Sequence, residues 1–401
     1  MIGVMAMRHI EPSFADGFLA SAKLNAKDPI IILHSSNIRI VHSLFNFGVH
    51  FNDMFENANG RTELGELGEF GLIRHISSSI TCKNPDTVKG IGDDCAVINR
   101  GDHYELVTTD LLLEGVHFDL SYCPLKHLGY KSVMVNLSDV YAMNGKPTHI
   151  VVSLGLSNRI SLEAVEEIYE GMRLACERHG IDLVGGDTSS SLSGLVINIT
   201  ALGKTNQERI SFRNGAQVND IICVSGDLGA AFIGLQILGR EKKIFLENPN
   251  IQPDLTGADY VVERQLKPEA RKDIIDALEN IGIVPTSMVD ISDGLASELF
   301  HICDSSEKGC RIYEEKIPID VETARIAEEL NLNPTLAAMN GGEDYELLFT
   351  IRQSDYEKVR ELSGIHFIGH ITSAEAGLAL VDKSEHETPL KAQGWDGLRG
   401  A

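Results

Sequence analysis

The chain has 401 residues, of which 43% are hydrophobic and 23% are charged, with a formal net charge of -23 from 58 acidic and 35 basic residues. The composition is typical of a globular protein, and the length is sufficient for two domains. The acidic balance argues against a nucleic-acid partner, because nucleic-acid binding needs a basic surface. It would also repel an anionic substrate unless bound cations neutralised the charge, which draws attention to clusters of aspartate.

The seven cysteines are scattered along the chain and form no C-x-x-C pair. This usage suits a reducing cytoplasm and indicates neither a disulfide framework nor a zinc site. No apolar run approaches the ~20 residues of a membrane span. The nearest candidate, Ile30 to Leu33, is too short for the core of a signal peptide. We therefore expect a cytoplasmic protein with no membrane partner.

Residues 1 to 63 differ from the rest of the chain, since they contain neither a glycine-rich turn followed by a strand nor a carboxylate motif. Met54 stands shortly before the stretch Leu64 to Gly71, where the first recognisable pattern begins. We interpret residues 1 to 63 as an N-terminal extension, either disordered or arising from a misassigned start. A functional N-terminal arm is the alternative.

From about residue 64, strand and helix patterns alternate. Runs rich in β-formers predict strands at 104–110, 149–156, 195–202, 220–225, 288–291, 346–351 and 366–371. Apolar residues at helical spacing predict helices at 129–143, 161–179, 228–238 and from Leu295 through Ile302. The mixture predicts an α/β or α+β protein with two domains, residues 64–205 and 206–401.

Aspartates recur near the ends of these predicted elements. They occur in Gly92-Asp93-Asp94, Thr108-Thr109-Asp110, Ser138-Asp139, Gly185-Gly186-Asp187 and Asp290-Ile291-Ser292-Asp293. Each cluster alone is weak evidence, because such sequences are often turns or helix caps. Carboxylate and hydroxyl oxygens are hard ligands that suit Mg²⁺. Together the clusters favour a multi-metal site for phosphate chemistry.

Two glycine motifs resemble phosphate loops without meeting their requirements. Gly203-Lys204-Thr205 would need a glycine five residues before Gly203 to form a Walker A loop, and Asn198 stands there. We predict a strand end at this motif. Gly226-Asp227-Leu228-Gly229 is predicted to open a helix, with helix packing as the favoured reason for the glycines and anion binding as the alternative.

Three further residues are ambiguous on sequence alone. His117 is either a satisfied loop histidine or a ligand contact, and Glu343 is either a cap or a contact. Trp395 is the single tryptophan, and it either fills a packing position or stacks on a ligand.

The motifs occur in a series that is more specific than any member. In order they are LGEFGLI, IGDD, TTD, EGVHF, NLSD, GGD, FRNGA, SGDLG, DISDGL, GGEDYELL and a terminal GW, spanning about residues 64 to 396. This series resembles the thiamine-monophosphate kinase family. Selenophosphate synthetases, hydrogenase-maturation dehydratases and AIR synthetase share the aspartate clusters but resemble the chain less in GVHF, GGEDYELL and the tryptophan-bearing tail.

The resemblance implies an AIR-synthetase-like fold of two domains and a homodimer paired through the sheets of the N-terminal domains. It implies transfer of the ATP γ-phosphoryl group to thiamine monophosphate, with ATP as co-substrate, several Mg²⁺ ions and no dedicated catalytic residue. The implied metal ligands are Asp94, Thr108, Thr109, Asp110, Asp139, Asp187, Asp290 and Asp293. The implied ATP contacts are Tyr169, Gly186, Asp187, Arg213 and Ser292, and the implied thiamine-monophosphate contacts are His117, Glu343 and Trp395. Some relatives carry Asn in place of Asp187, which leaves the number of metals open.

Two kinds of rival remain. One is another ATP-using member of the superfamily. A selenophosphate synthetase is expected to carry a reactive cysteine near its start, and no cysteine precedes Cys82. A hydrogenase-maturation member is expected to end in cysteine, whereas this chain ends in Arg399-Gly400-Ala401. A nucleotide-binding regulator without activity is the other. Loss of a cluster carboxylate would favour the regulator, and all are present.

Overall fold

A computed structural model of the chain describes residues 62–391. The N-terminal extension, except for its last two residues, and Trp395 therefore lie outside the described residues. From Leu67 onward the described residues form one compact unit. No helix among them is both long and apolar enough to cross a membrane.

The first half contains a six-stranded sheet with the order β1-β2-β3-β6-β4-β5, in which only β4 and β5 are parallel neighbours. Its elements in chain order are α1 (Leu64–Ser77), β1 (Thr87–Lys89), β2 (Ala96–Asn99), β3 (Tyr104–Leu113), α2 (Leu125–Ala142), β4 (Lys146–Leu156), α3 (Leu162–His179), β5 (Asp182–Ser190) and β6 (Val196–Thr205). The predicted strands and helices of this half are all present, whereas α1, β1, β2 and β5 were not predicted.

The second half contains a seven-stranded sheet with the order β13-β12-β9-β11-β7-β10-β8, in which only β12 and β9 are parallel neighbours. Its strands are β7 (Ile221–Ser225), β8 (Ser287–Asp290), β9 (Lys308–Tyr313), β10 (Leu347–Ile351), β11 (Ile365–Ser373), β12 (Leu378–Val381) and β13 (Glu387–Pro389). Its helices are α4 (Ala230–Glu247), α5 (Asp259–Leu266), α6 (Lys272–Asn280), α7 (Leu295–Ser306), α8 (Val321–Glu329), α9 (Pro334–Asn340) and α10 (Tyr356–Val359). The two sheets with their helices confirm the predicted mixed α/β class.

One buried hydrophobic cluster joins the two halves. It extends from Val152 and Ile199 in the first sheet to Met288 and Phe349 in the second. The strands β8 and β10 are buried at every residue, which explains their continuous apolar sequences, since a strand covered on both faces does not alternate. Their alternate residues, such as Leu348, enter a second cluster with α7.

The local predictions at turns and caps had mixed outcomes. Ser161 caps α3 at the start of the predicted helix, with its hydroxyl accepting a hydrogen bond from the Ala164 N–H at 3.3 Å. The strand ending at Thr205 and the helix following Gly229 are also confirmed. One expectation was wrong, because β3 continues three residues beyond Asp110. Gly185 to Asp187 lie inside β5.

Helices α2 and α3 pack so closely that two glycines are required at their contact. A Cβ atom at Gly129 would lie 1.9 Å from the carbonyl oxygen of Ile168, and one at Gly171 would lie 1.9 Å from that of Lys126. Backbone atoms cannot yield as a flexible side chain can. The reciprocal pair therefore sets the distance between the two helices.

We predict that Gly171→Ala lowers the free energy of unfolding by about 2 kcal/mol or more, because the added methyl group forces α2 and α3 apart. Gly239→Ala in α4 is a matched control, since a Cβ there meets no atom within 4 Å. That substitution should stabilise the protein by about 0.5–1 kcal/mol through helix propensity. Urea unfolding of both variants measures the difference, and equal effects would contradict the role assigned to the glycines.

Candidate functional site

The strand β3 supplies residues to both faces of its sheet, because side chains alternate along a strand. Thr108 is buried and Asp110 is half-buried on the face covered by α2, whereas Thr109 is exposed on the opposite face. The Thr108 hydroxyl donates a hydrogen bond to Asp139 Oδ2. The backbone N–H of Asp110 donates to Asn136 Oδ1 at 3.0 Å. Residues from two consecutive turns of α2 therefore fix the middle of β3.

Asp290 ends β8 and meets the same helix. Its Oδ2 accepts a hydrogen bond from the Ser138 hydroxyl at 2.6 Å. Asp94, Asp139 and Asp290 each offer a carboxylate oxygen, and these oxygens lie within 4.8 Å of one another. We call Asp94, Asp110, Asp139 and Asp290 the carboxylate cluster. The structure thus brings together four of the predicted metal ligands from separate stretches of the chain.

Burial raises the pKa of every member of the carboxylate cluster, and repulsion from other members adds to the rise at Asp139 and Asp290. Burial raises the pKa of Asp110 to about 6. Burial, and then the nearby Asp94, raise the pKa of Asp290 to about 7. The pKa of Asp139 lies well above its usual value because of burial and the charges of Asp110, Asp290 and Asp94. Groups in such positions take up a cation readily, since a cation removes the repulsion that opposes their ionisation.

Arg213 partly offsets the charge of the carboxylate cluster. Its Nε donates to Asp94 Oδ1 at 3.1 Å, and its Nη2 contacts the same oxygen. Asp94 Oδ2 is buried and has no hydrogen-bond partner among the described residues, and burial raises the pKa of Asp94 despite the arginine. A buried carboxylate oxygen without a donor is costly, and a divalent cation with oxygen ligands would satisfy it. The cluster therefore fits Mg²⁺.

The loop between β8 and α7 contains Ser292 and Asp293. The Ser292 carbonyl accepts a hydrogen bond from the Glu343 N–H at 2.6 Å, and the Asp293 N–H donates to Glu298 Oε1 at 3.3 Å. Glu298 is buried, and burial followed by the charge of Asp293 raises its pKa well above the usual value. Sequence reasoning missed Glu298, although it lies one helical turn after Leu295 on the buried face of α7.

His117 and Glu343 line one small cavity together with three members of the carboxylate cluster. The cavity has a volume of about 120 Å³ and is lined by Asp110, Leu111, Leu112, His117, Val135, Asp139, Asp290, Ser292, Glu343 and Tyr345. The His117 Nδ1 accepts a hydrogen bond from the Leu113 N–H at 3.0 Å, so the proton of the neutral ring is on Nε2. Burial lowers the pKa of His117, against the opposing charge of Glu343 and with a smaller contribution from Lys131. The ring is therefore a neutral donor at this cavity.

Four predicted residues lie elsewhere. Asp187 is exposed on β5, and the pairing of Asp187 with Ser153 and of Ser153 with Asn198 puts it on the same face of the sheet as Thr109. The Asn198 amide donates to the Thr109 hydroxyl at 3.0 Å. We call this the open face, opposite the carboxylate cluster. Gly186 is adjacent to Asp187 in β5.

Tyr169 lines a separate cavity of about 670 Å³ between α3 and the start of β5, with Arg173, Cys176, Glu177, Gly180, Ile181, Asp182 and Leu183. This cavity shares no lining residue with the one beside His117. The roles predicted for Thr109, Tyr169, Gly186 and Asp187 remain predictions, as does that of Trp395 outside the described residues.

Residues 92–205 match the family model described as "AIR synthase related protein, N-terminal domain". The chain is 38% identical to a thiamine-monophosphate kinase of Aquifex aeolicus over 72% of its own length and 87% of the relative's. It is 31% identical to that of Bacillus subtilis over 82% and 99%, and 32% identical to that of Escherichia coli K12 over 82% and 98%.

Solved structures show the same likeness. One described as "AaThiL complexed with AMPPCP and TMP" is 33% identical and superposes with a TM-score of 0.72, covering 84% of this chain and all of that one. The hydrogenase maturation protein HypE in complex with ATP is 16% identical with a TM-score of 0.59, over 84% of this chain and all of that one. At that identity the second likeness concerns the fold alone.

We predict that Mg²⁺ stabilises the protein in a pH-dependent manner. A carboxyl group whose pKa is raised in the folded state costs stability above its unfolded pKa, and the full cost is present above its folded pKa. Asp110 and Asp290, with pKa values of about 6 and about 7, should therefore destabilise the metal-free protein most at about pH 8. Mg²⁺ at about 10 mM should raise the Tm by about 5 °C at about pH 8. Since protons compete with the metal, the rise should be less than half as large at about pH 5.5.

Thermal unfolding with and without Mg²⁺ at the two pH values measures this effect, with NaCl of equal ionic strength as the control. An equal rise at both pH values, or the same rise with NaCl, would contradict a metal site made by these carboxylates.

Proposed function

We propose, from the premise that this chain belongs to the thiamine-monophosphate kinase family, that it transfers the γ-phosphoryl group of ATP in line to thiamine monophosphate, with several Mg²⁺ ions. The family membership confirms the resemblance seen in the motif series, and it makes the chain a thiamine-phosphate kinase. The observation that carries the mechanism is the carboxylate cluster beside the cavity of His117 and Glu343.

The choice of substrates is supported by the relatives. A neighbour that is 33% identical was solved with AMPPCP, an ATP analogue, and TMP bound. We infer that the substrates of the present chain are ATP and thiamine monophosphate, since the motifs of the series occur in order over most of its length. The hydrogenase-maturation-like alternative has support at the level of fold only.

We propose the predicted metal ligands as the residues that would hold Mg²⁺. They are Asp94, Thr108, Thr109, Asp110, Asp139, Asp187, Asp290 and Asp293. Bound Mg²⁺ would neutralise the phosphate charges and favour alignment of donor and acceptor. The buried Asp94 Oδ2 without a partner supports this assignment. The hydroxyl groups of Thr108 and Ser138 hold Asp139 and Asp290 in fixed orientations.

No general base is required in the proposed reaction. The acceptor is a phosphate oxygen, which is ionised near neutral pH because its second pKa is about 6. The His117 Nδ1 already accepts a hydrogen bond from the backbone, so this ring nitrogen is not free to take a proton. We assign to His117 the donation of a hydrogen bond from Nε2 to an anionic group in the cavity. Glu343 and Trp395 remain the other proposed contacts to thiamine monophosphate.

For ATP we propose Tyr169, Gly186, Asp187, Arg213 and Ser292. Arg213 and Ser292 lie near the carboxylate cluster, which supports contacts to phosphate groups. Tyr169 lines the larger cavity, which supports a role towards the base. Thr109 and Asp187 lie on the open face and not in the cluster.

We further propose a homodimer paired through the six-stranded sheets. Support comes from Leu111 on the open face, which is 48% exposed, and from Leu183 and Val184 on the edge strand β5, which are 38% and 57% exposed. Apolar side chains grouped on an uncovered sheet favour an interface. A partner on this face would also bring a second surface to Thr109 and Asp187.

The proposed domains are 64–205 and 206–401, with residues 1–63 as an extension. The boundary is supported by the last strand of the first sheet, which ends at Thr205, and by the next strand, which begins at Ile221 in the second sheet. A cytoplasmic location is supported by the seven cysteines, which are free thiols in the described structure.

We predict that the purified chain makes thiamine diphosphate from ATP, Mg²⁺ and thiamine monophosphate. Thiochrome fluorescence after chromatography measures the product, with reactions lacking ATP or containing EDTA as controls. ATP consumption without thiamine diphosphate would assign the chain to another ATP-using activity, and nucleotide binding without consumption would assign it to the class of regulators.

We predict that Asp110→Asn lowers kcat by at least about 100-fold while the protein remains folded, because neutralising phosphate charge acts chiefly in the transition state. Asp102→Asn is the matched control, since Asp102 is 87% exposed in the turn before β3 and should leave kcat within about twofold. Steady-state kinetics at saturating Mg²⁺, with circular dichroism of both variants, provides the comparison. Near-normal turnover of Asp110→Asn would show that the carboxylate cluster is not the reaction site.

A further inference from the structure

Lys131 is a buried lysine next to the cavity, and sequence reasoning assigned it no role. It lies in the second turn of α2, and its side chain is 3% exposed. Its ammonium group is 3.1 Å from Glu343 Oε1 and donates a hydrogen bond to the Gln265 carbonyl at 3.0 Å. A charged lysine at such depth is retained only when it is paired, because burial of an unpaired charge is very costly.

Glu343 is held on both of its carboxylate oxygens. Besides the contact of Oε1 with Lys131, its Oε2 accepts a hydrogen bond from the Gln265 side-chain amide at 2.6 Å. Gln265 lies in the last turn of α5 and is 5% exposed, so the two donors come from different helices. The carboxylate therefore has one donor on each oxygen, which leaves it a single favourable orientation.

The backbone at Glu343 is strained as well. Glu343 has a φ of 59° and Tyr345 a φ of 51°, in the left-handed region that residues with a Cβ avoid. Such conformations persist where the surroundings fix them and are common at ligand sites. The Glu343 N–H bonds to the Ser292 carbonyl, so main chain and side chain are both fixed.

Of Lys131, Gln265 and Glu343, it is Glu343 that lines the cavity beside His117. Its side chain is 27% exposed, whereas Lys131 is nearly inaccessible and lines neither described cavity. Lys131 can therefore affect a ligand through Glu343 but does not contact it. The pair carries no net charge, which suits hydrogen-bond acceptance by Glu343 better than long-range attraction of a cation.

We propose that Lys131 and Gln265 are positioning residues that hold the Glu343 carboxylate in one orientation, and thereby set the affinity for thiamine monophosphate rather than for ATP. This inference rests on the proposed function and deepens it, because it assigns specificity to two residues outside the cavity wall. In this proposal Lys131, Gln265 and Glu343 determine the binding of the acceptor substrate, whereas the carboxylate cluster acts on the phosphoryl groups.

The test compares Lys131→Met, Lys131→Arg and Gln265→Leu in the full chain. Lys131→Met should raise the KM for thiamine monophosphate by about tenfold, with the KM for ATP and kcat within about twofold. Lys131→Arg should restore part of the loss, because it returns the positive charge. Lys126→Met, at a lysine on the same helix that is 49% exposed, is the matched control and should change neither KM.

The decisive measurement is a double-mutant cycle with Glu343→Gln. If Lys131 acts through Glu343, Lys131→Met should add less than about a twofold effect in the Glu343→Gln background. A full additional effect there, or an equal rise of both KM values, would overturn the proposal. Should Lys131→Met not fold, Gln265→Leu decides in the same cycle. If the unchanged chain forms no thiamine diphosphate, the proposed function fails by itself, and equilibrium binding of thiamine monophosphate to the same variants still tests the inference.

Discussion

Four carboxylates of like charge, two of them buried and two half-buried, lie in one small space and impose the constraint on which the site depends. Each of them alone would be costly to bury, and together they repel. Arg213 contacts Asp94 Oδ1, but Asp94 Oδ2 has no donor among the described residues. The guanidinium of Arg213 therefore does not balance the negative charge of the four carboxylates. The fold therefore holds the carboxylates in place through neutral donors, the hydroxyl groups of Thr108 and Ser138, and leaves the charge to be balanced from outside.

Helix α2 carries most of this arrangement. Gly129 sets its distance from α3, Lys131 meets Glu343, Asn136 binds the backbone of Asp110, and Ser138 meets Asp290. The helix is buried on nearly all sides, which explains why its apolar spacing is a weak guide to its orientation. Polar residues at its buried positions connect elements that are far apart in the sequence.

The sequence predicted the mixed α/β class and the larger strands, because alternation and β-rich composition are local signals. It also singled out Asp94, Asp110, Asp139 and Asp290 through their neighbouring glycine, threonine and serine residues. Side-chain alternation along the predicted strand 104–110 already implies that Thr109 lies on a different face from Thr108, but the motif was interpreted as one unit. Lys131 and Gln265 were missed because their roles depend on a contact between helices more than a hundred residues apart. Glu298 was overlooked for a different reason, since its helical spacing was visible and was attributed to the apolar face.

Strand β3 continues past Asp110 to Leu113 and is paired along its length with β6. Its neighbouring residues Thr109 and Asp110 therefore belong to one rigid ribbon, although they are presented to opposite sides of the sheet. The open face and the carboxylate cluster are thus separated by a single peptide bond, and the main chain alone fixes the position of one relative to the other.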